Sequence, residues 1–163
     1  MGLLDGQVAI VTAAAGAGIG QATARRFAEE GARVLVTDAH AHRVQEVAQA
    51  MTKDYNREFI GLEVDVTNPA QVQNMVQTAL DRYGQVDILV NNAGINRLEP
   101  VWQMSDETWH LVINVNLTGT FYCTRAVLPH MIERKKGAVV SLSSTAGWIG
   151  SDEGEAQIGR AHV

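Results

Sequence analysis

The stretch Val8-Ala-Ile-Val-Thr12-Ala-Ala-Ala-Gly16-Ala-Gly18-Ile-Gly20 joins a short β-branched run to a glycine-rich turn, and an alanine-rich helical pattern follows at once. A strand feeding a helix through such a turn aims backbone N–H groups and the positive end of a helix dipole at one point, which suits a pyrophosphate. Glycines let a backbone approach a ligand closely, but they also serve tight turns that bind nothing. The turn therefore speaks first to fold.

Outward from it, the same alternation repeats. Residues 8–11, 34–36, 59–64, 86–90 and 138–140 read as strands, and residues 19–30, 41–53, 69–83 and 106–134 carry helical periodicity. Strands separated by helices imply right-handed crossovers into a parallel sheet. The expected fold is a Rossmann-like, doubly wound α/β sheet with helices on both faces. Gly31, Gly84 and Gly137 are expected to end helices in the left-handed region, while Asn68-Pro69 and Ser105 are expected to start them. Residues 106–134 are apolar nearly all round, so the sheet should cover one side and something else, such as a partner subunit, the other.

Composition narrows the classes. With 163 residues, 46% of them apolar, the chain can bury a core of its own as one domain. Thirteen basic against 18 acidic side chains give a net charge of -5, and the longest basic run is Arg134-Lys135-Lys136, which suits a helix C-terminus. A nucleic-acid partner is not expected. Nor is a membrane segment, because the opening Met1-Gly-Leu-Leu-Asp5 has neither a basic start nor a long apolar run. The lone Cys123 sits among apolar residues, which fits a core position in a reducing, cytoplasmic compartment.

Asp38 ends the second strand about twenty residues past the turn, where an acid can hydrogen-bond the adenine ribose and repel a 2′-phosphate. No Arg or Lys lies in the turn or immediately after Asp38, so the cofactor expected is NAD. The plainer alternative is that Asp38 caps the helix starting at residue 41.

With Asn91-Asn92-Ala93-Gly94 directly after the fourth strand, the chain resembles the short-chain dehydrogenase/reductase family over residues 6 to about 150. Gly18-Ile19-Gly20 match the end of the family's turn. The turn departs from the pattern by one extra residue after Thr12 and by alanine where the first glycine is usual, so a bulged loop around Gly16 is expected. The resemblance implies that Asp65 and Val66 contact adenine, that Asn92, Ala93 and Gly94 pass beside the adenosine ribose, and that the Asn116 carbonyl holds a relay water. It also implies that Ser144, rather than Ser143, is the serine that polarises the substrate oxygen. The implied activity is NAD-dependent interconversion of a small-molecule secondary alcohol and a ketone, in a parent protein that is a homodimer or homotetramer.

The family's Tyr-x-x-x-Lys pair is missing. Tyr55, Tyr83 and Tyr122 all precede Ser144, and Ala156, Gln157 and Ile158 stand where the tyrosine is expected. Ile158-Gly-Arg-Ala-His-Val163 matches a translated sequencing-adapter stretch, which suggests a partial NAD-binding domain over 1–157 and a non-native tail over 158–163. On that reading the chain is an inactive fragment. The competing reading is a catalytically dead NAD-binding or interaction module.

Overall fold

The computed structural model describes residues 2–144. The tail at 158–163 and the place of the expected tyrosine lie outside the described residues. In chain order the elements are β1 (Val8–Val11), α1 (Ile19–Glu29), β2 (Arg33–Asp38), α2 (Ala41–Tyr55), β3 (Ile60–Glu63), α3 (Pro69–Tyr83), β4 (Ile88–Asn91), α4 (Asp106–Ile113), α5 (Gly119–Arg134) and β5 (Ala138–Ser141). The five strands pair in parallel in the order β3-β2-β1-β4-β5. The chain winds outward from β1 to β3 and then returns to β4, which puts the switch in direction between β1 and β4 and opens a crevice at their carboxyl ends.

Alternation along β1 builds two cores. Ala9 and Val11, with Val34 and Val36 of β2, pack under α1 and α2 through Ala24, Ala28, Val44 and Met51. Ile10 and Leu35 point to the other face with Leu89, under Val72, Met75 and Val76 of α3 and Cys123, Val127 and Met131 of α5. Central strands buried on both faces need such unbroken apolar runs. Cys123 is 1% exposed, and burial pushes its thiol up to about 12, as befits a packing residue.

Helix ends follow the sequence in part. The Asn68 side chain accepts from the amides of Ala70 and Gln71 ahead of α3, and Ser105 Oγ accepts from the Thr108 amide ahead of α4. Gly31 and Gly84 have φ of 96° and 78°. Gly137 does not cap α5. Lys135 takes the left-handed position with φ 53°, and Gly137 is small because a Cβ there would run into Met131. The basic run also has a task other than capping, since Arg134 and Lys136 reach the carboxylate of Asp87, whose side chain is fully buried.

The expected single helix over 106–134 is instead α4 and α5 joined by a π-helical turn, Asn114–Thr118. Local side-chain bonds account for the change. Asn116 is held to the backbone of Ile95, the Thr120 hydroxyl donates to the Asn116 carbonyl at 2.8 Å, and Gly119 lies where a Cβ would strike Val66. Such turns interrupt the regular hydrogen-bond ladder at functional sites in many helices.

The outer side of this region is apolar. Leu117, Phe121 and Ile132 are 42%, 52% and 68% exposed, and Val140 of β5 is 50% exposed. Among the described residues β5 pairs only with β4, so an apolar edge and an apolar helix face lie side by side. We expect the chain to self-associate, with sedimentation velocity showing mass above the monomer at micromolar concentration. A clean monomer that unfolds cooperatively would contradict this.

Candidate nucleotide-binding site

The crevice at the carboxyl ends of the strands contains a cavity of about 340 Å³. Gly16, Asp38, Asp65, Val66, Ala93 and Gly94 line it, together with Ala13, Arg43, Ile95 and Val115. Four loops meet there, one after each of β1 to β4, which is why residues distant in sequence share one wall.

The loop after β1 is built around Thr12. Its hydroxyl donates to Val90 O at 3.3 Å and accepts from the amides of Asn92 and Ala93, both at 2.9 Å. Asn92 returns the tie, its Nδ2 donating to the carbonyls of Thr12 and Ala13. Ala13 stands at φ 50°, a left-handed conformation that costs an L residue roughly 1–2 kcal/mol and explains the glycine usual in the family. The longer turn is held by β2. The Ala14 amide donates to Thr37 O at 2.8 Å, and the Ala15 amide to Asp38 Oδ2 at 3.1 Å. The bulge thus leans on the next strand while the chain passes on through Gly18 into α1.

Gly18 caps α1 without any side-chain bond. Ile19 is 65% exposed, and Gly20 is buried where a Cβ would sit 2.6 Å from Ala13 O and against the Asn92 amide group. Gly18, Ile19, Gly20 and Asn92 do not line the cavity itself. They form the frame that presents the turn.

Asp38 is 7% exposed and does not cap α2 in the usual way, since the cap position is His40. Its Oδ1 accepts from the His40 amide at 3.0 Å, and Arg43 Nη2 lies 3.6 Å from the same oxygen. The expectation of a carboxylate with no cation near it is therefore corrected. Arg43 is separated from Asp38 in sequence, but the first turn of α2 folds it back beside the carboxylate. Asp65 is exposed, and its Oδ1 accepts both the amide and the hydroxyl of Thr67, at 2.8 and 2.7 Å.

Asn116 is fully buried and bonded to the backbone of Ile95, accepting from its amide at 2.8 Å and donating to its carbonyl at 2.9 Å. It fixes the loop after β4 rather than lining the cavity, and its own carbonyl is turned to Thr120. Ser144 is half-buried, just past β5. Asn91 Nδ2 donates to Thr124 Oγ1 and Ser141 Oγ at 3.1 and 3.2 Å, tying β4, β5 and α5 together beneath that region. Arg43, Thr12 and Ala15 are the contributors that sequence reasoning passed over as site residues. Thr12 at the end of β1 was the one with a visible signal.

A doubly wound parallel sheet with a glycine-rich turn beside its switch point and acids at the end of β2 and after β3 is the arrangement of dinucleotide-binding folds. The short chain dehydrogenase family profile matches residues 7–156, and the chain belongs to that family. The chain is 42% identical over 147 residues to the BbsD subunit of a hydroxy(phenyl)methylsuccinyl-CoA dehydrogenase of Thauera aromatica, covering 90% of this chain and 58% of that protein. It is 38% identical to a 3-oxoacyl-acyl-carrier-protein reductase of Synechocystis, covering 93% of this chain and 61% of the relative. A crystal structure of a short chain dehydrogenase from Mycobacterium smegmatis superposes with a TM-score of 0.86 at 38% identity, over 94% of this chain and 64% of that one. The chain thus spans somewhat more than half the length of such relatives. Among the described residues no helix is long and apolar enough to cross a membrane, and no cluster of metal-ligating side chains occurs.

Proposed function

We propose that the chain is the NAD(H)-binding portion of an oxidoreductase that interconverts a secondary alcohol and a ketone. The observation carrying this reading is the cavity that joins the turn after β1 to Asp38, Asp65 and Ala93-Gly94 at the topological switch point. Bound there, NAD(H) would supply the hydride acceptor or donor. The amides from Gly16 to Gly20 would hold the pyrophosphate, Asp38 the adenine ribose hydroxyls, and Asp65 Oδ2 the exocyclic amine of adenine beside Val66. Asn92, bonded across the turn, keeps these amides in register.

Ser144 would polarise the substrate oxygen, and the Asn116 carbonyl would hold a water for proton relay. In the free chain that carbonyl accepts from Thr120 Oγ and retains a second lone pair for such a water. Residues 1–157 would form the binding domain and 158–163 a tail without a part in it. The assembly of the whole protein would be a homodimer or homotetramer in the cytoplasm.

NAD(H) should bind more tightly than NADP(H), because a 2′-phosphate must approach the Asp38 carboxylate at close range. Competitive titration of both cofactors by fluorescence tests this. Equal or tighter binding of NADP(H) would remove Asp38 from the role assigned to it.

A further inference from the structure

Arg43 stands apart from the other charged groups of the crevice. It lies on the first turn of α2 with its side chain half exposed, its guanidinium 3.6 Å from Asp38 Oδ1, and it lines the same cavity as Asp38, Ala39 and His40. That distance is longer than a hydrogen bond and the guanidinium is half exposed, so water can take the place of Asp38 and the guanidinium can leave at little cost. Asp38 does not depend on it, because both of its oxygens already accept backbone amides, from Ala15 and His40. The neighbouring His42 turns its imidazole towards another partner, with Nδ1 3.3 Å from Glu46.

A hydroxyl on the adenine ribose that reaches Asp38 brings any 2′-phosphate within one side-chain length of Arg43. A guanidinium is planar and offers paired donors that match phosphate oxygens, whereas the carboxylate alone would repel them. We propose that Arg43 is a specificity-determining residue, a cation that moves from Asp38 to a 2′-phosphate and so admits NADP(H) alongside the preferred NAD(H). This rests on the dinucleotide reading of the crevice given above. The usual inference from a lone acid at the end of β2 is near-exclusion of NADP(H), and Arg43 makes that exclusion partial.

The test is calorimetric titration of the full chain, wild type, Arg43→Gln and Arg43→Lys, with NADH, NADPH and adenosine 2′,5′-bisphosphate, folding being checked by circular dichroism. For Arg43→Gln the ratio of NADPH to NADH affinity should fall about tenfold, the worth of one charge-assisted contact, with Arg43→Lys in between. The bisphosphate should weaken in parallel with NADPH. An unchanged ratio in Arg43→Gln, or a wild-type chain that binds neither NADPH nor the bisphosphate, overturns the proposal. The NADH arm judges the parent reading separately. Arg43-dependent bisphosphate binding without NADH binding would sustain the role of Arg43 and overturn the choice of NAD.

Discussion

No dehydrogenase turnover is expected from this chain with NAD and any secondary alcohol. Hydride transfer from an alcohol requires the hydroxyl proton to leave, and the reverse reaction requires a proton for the new alkoxide. In the roles proposed above Ser144 would orient an oxygen and Asn116 a water, but neither a serine hydroxyl nor an asparagine amide titrates near neutral pH. Of the tyrosines present, Tyr83 offers no such group at the crevice. Tyr83 closes α3 at the opposite end of the strands from the crevice, and burial pushes its phenol up to about 12, away from the range a general base needs. General acid–base catalysis is typically worth about 10²–10⁴-fold, which sets the scale of the expected deficit. A reading frame that continues past Ser144 into a Tyr-x-x-x-Lys pair, assayed beside this chain on a panel of secondary alcohols, should recover the activity. Comparable rates from the two proteins would show that the chemistry resides elsewhere.

The second large effect is expected at Asp87, far from the crevice. Its Oδ2 accepts from the Val8 amide at 2.9 Å and Gln85 Nε2 at 2.7 Å, while Oδ1 faces Arg134 Nη1 at 3.1 Å and Lys136 Nζ at 3.5 Å. One fully buried carboxylate thus gathers the start of β1, the start of β4 and the end of α5. Asp87→Ala should destabilise the fold by about 3–5 kcal/mol, because it leaves a buried amide and a partly buried guanidinium without their acceptor. Burial pushes the Asp87 carboxyl up, but the Val8 amide, the Arg134 contact and the Lys136 charge outweigh it and hold the group below its ordinary value. A lowered folded-state value means that the stabilisation is complete above the ordinary aspartate range, roughly pH 4, and is lost as pH falls through the folded value. Urea midpoints measured from pH 2 to 6 should show wild type losing its advantage over Asp87→Asn below about pH 4. A constant difference across that range would mean that the charge does not matter.

Much of this architecture was legible from local patterns. The β-branched runs and helical periodicities place all five strands and the sheet's winding, because central parallel strands buried on both faces must be apolar throughout. Asp38, Ala93 and Gly94 line the crevice and Gly18, Gly20 and Asn92 frame it, and their positions at strand ends made that end of the sheet legible from the sequence. What stayed hidden depends on side chains that fold back over several residues. Periodicity shows residues 106–134 as helical but not that Asn116 is captured by Ile95, which remakes the middle as a π turn. Sequence proximity likewise hid Arg43, which reaches Asp38 only once α2 has made its first turn. The basic run at 134–136 looked like a helix cap because its partner, Asp87, is remote in sequence.

Amide hydrogen exchange of the chain with and without saturating NADH tests the central claim most directly. The account predicts added protection in the turn from Ala15 to Gln21, at Asp65-Val66 and at Ala93 to Ile95, with the amides of the outer face of α5 unchanged. Protection confined to other segments, or none in a chain that is folded by the same measurement, would contradict it.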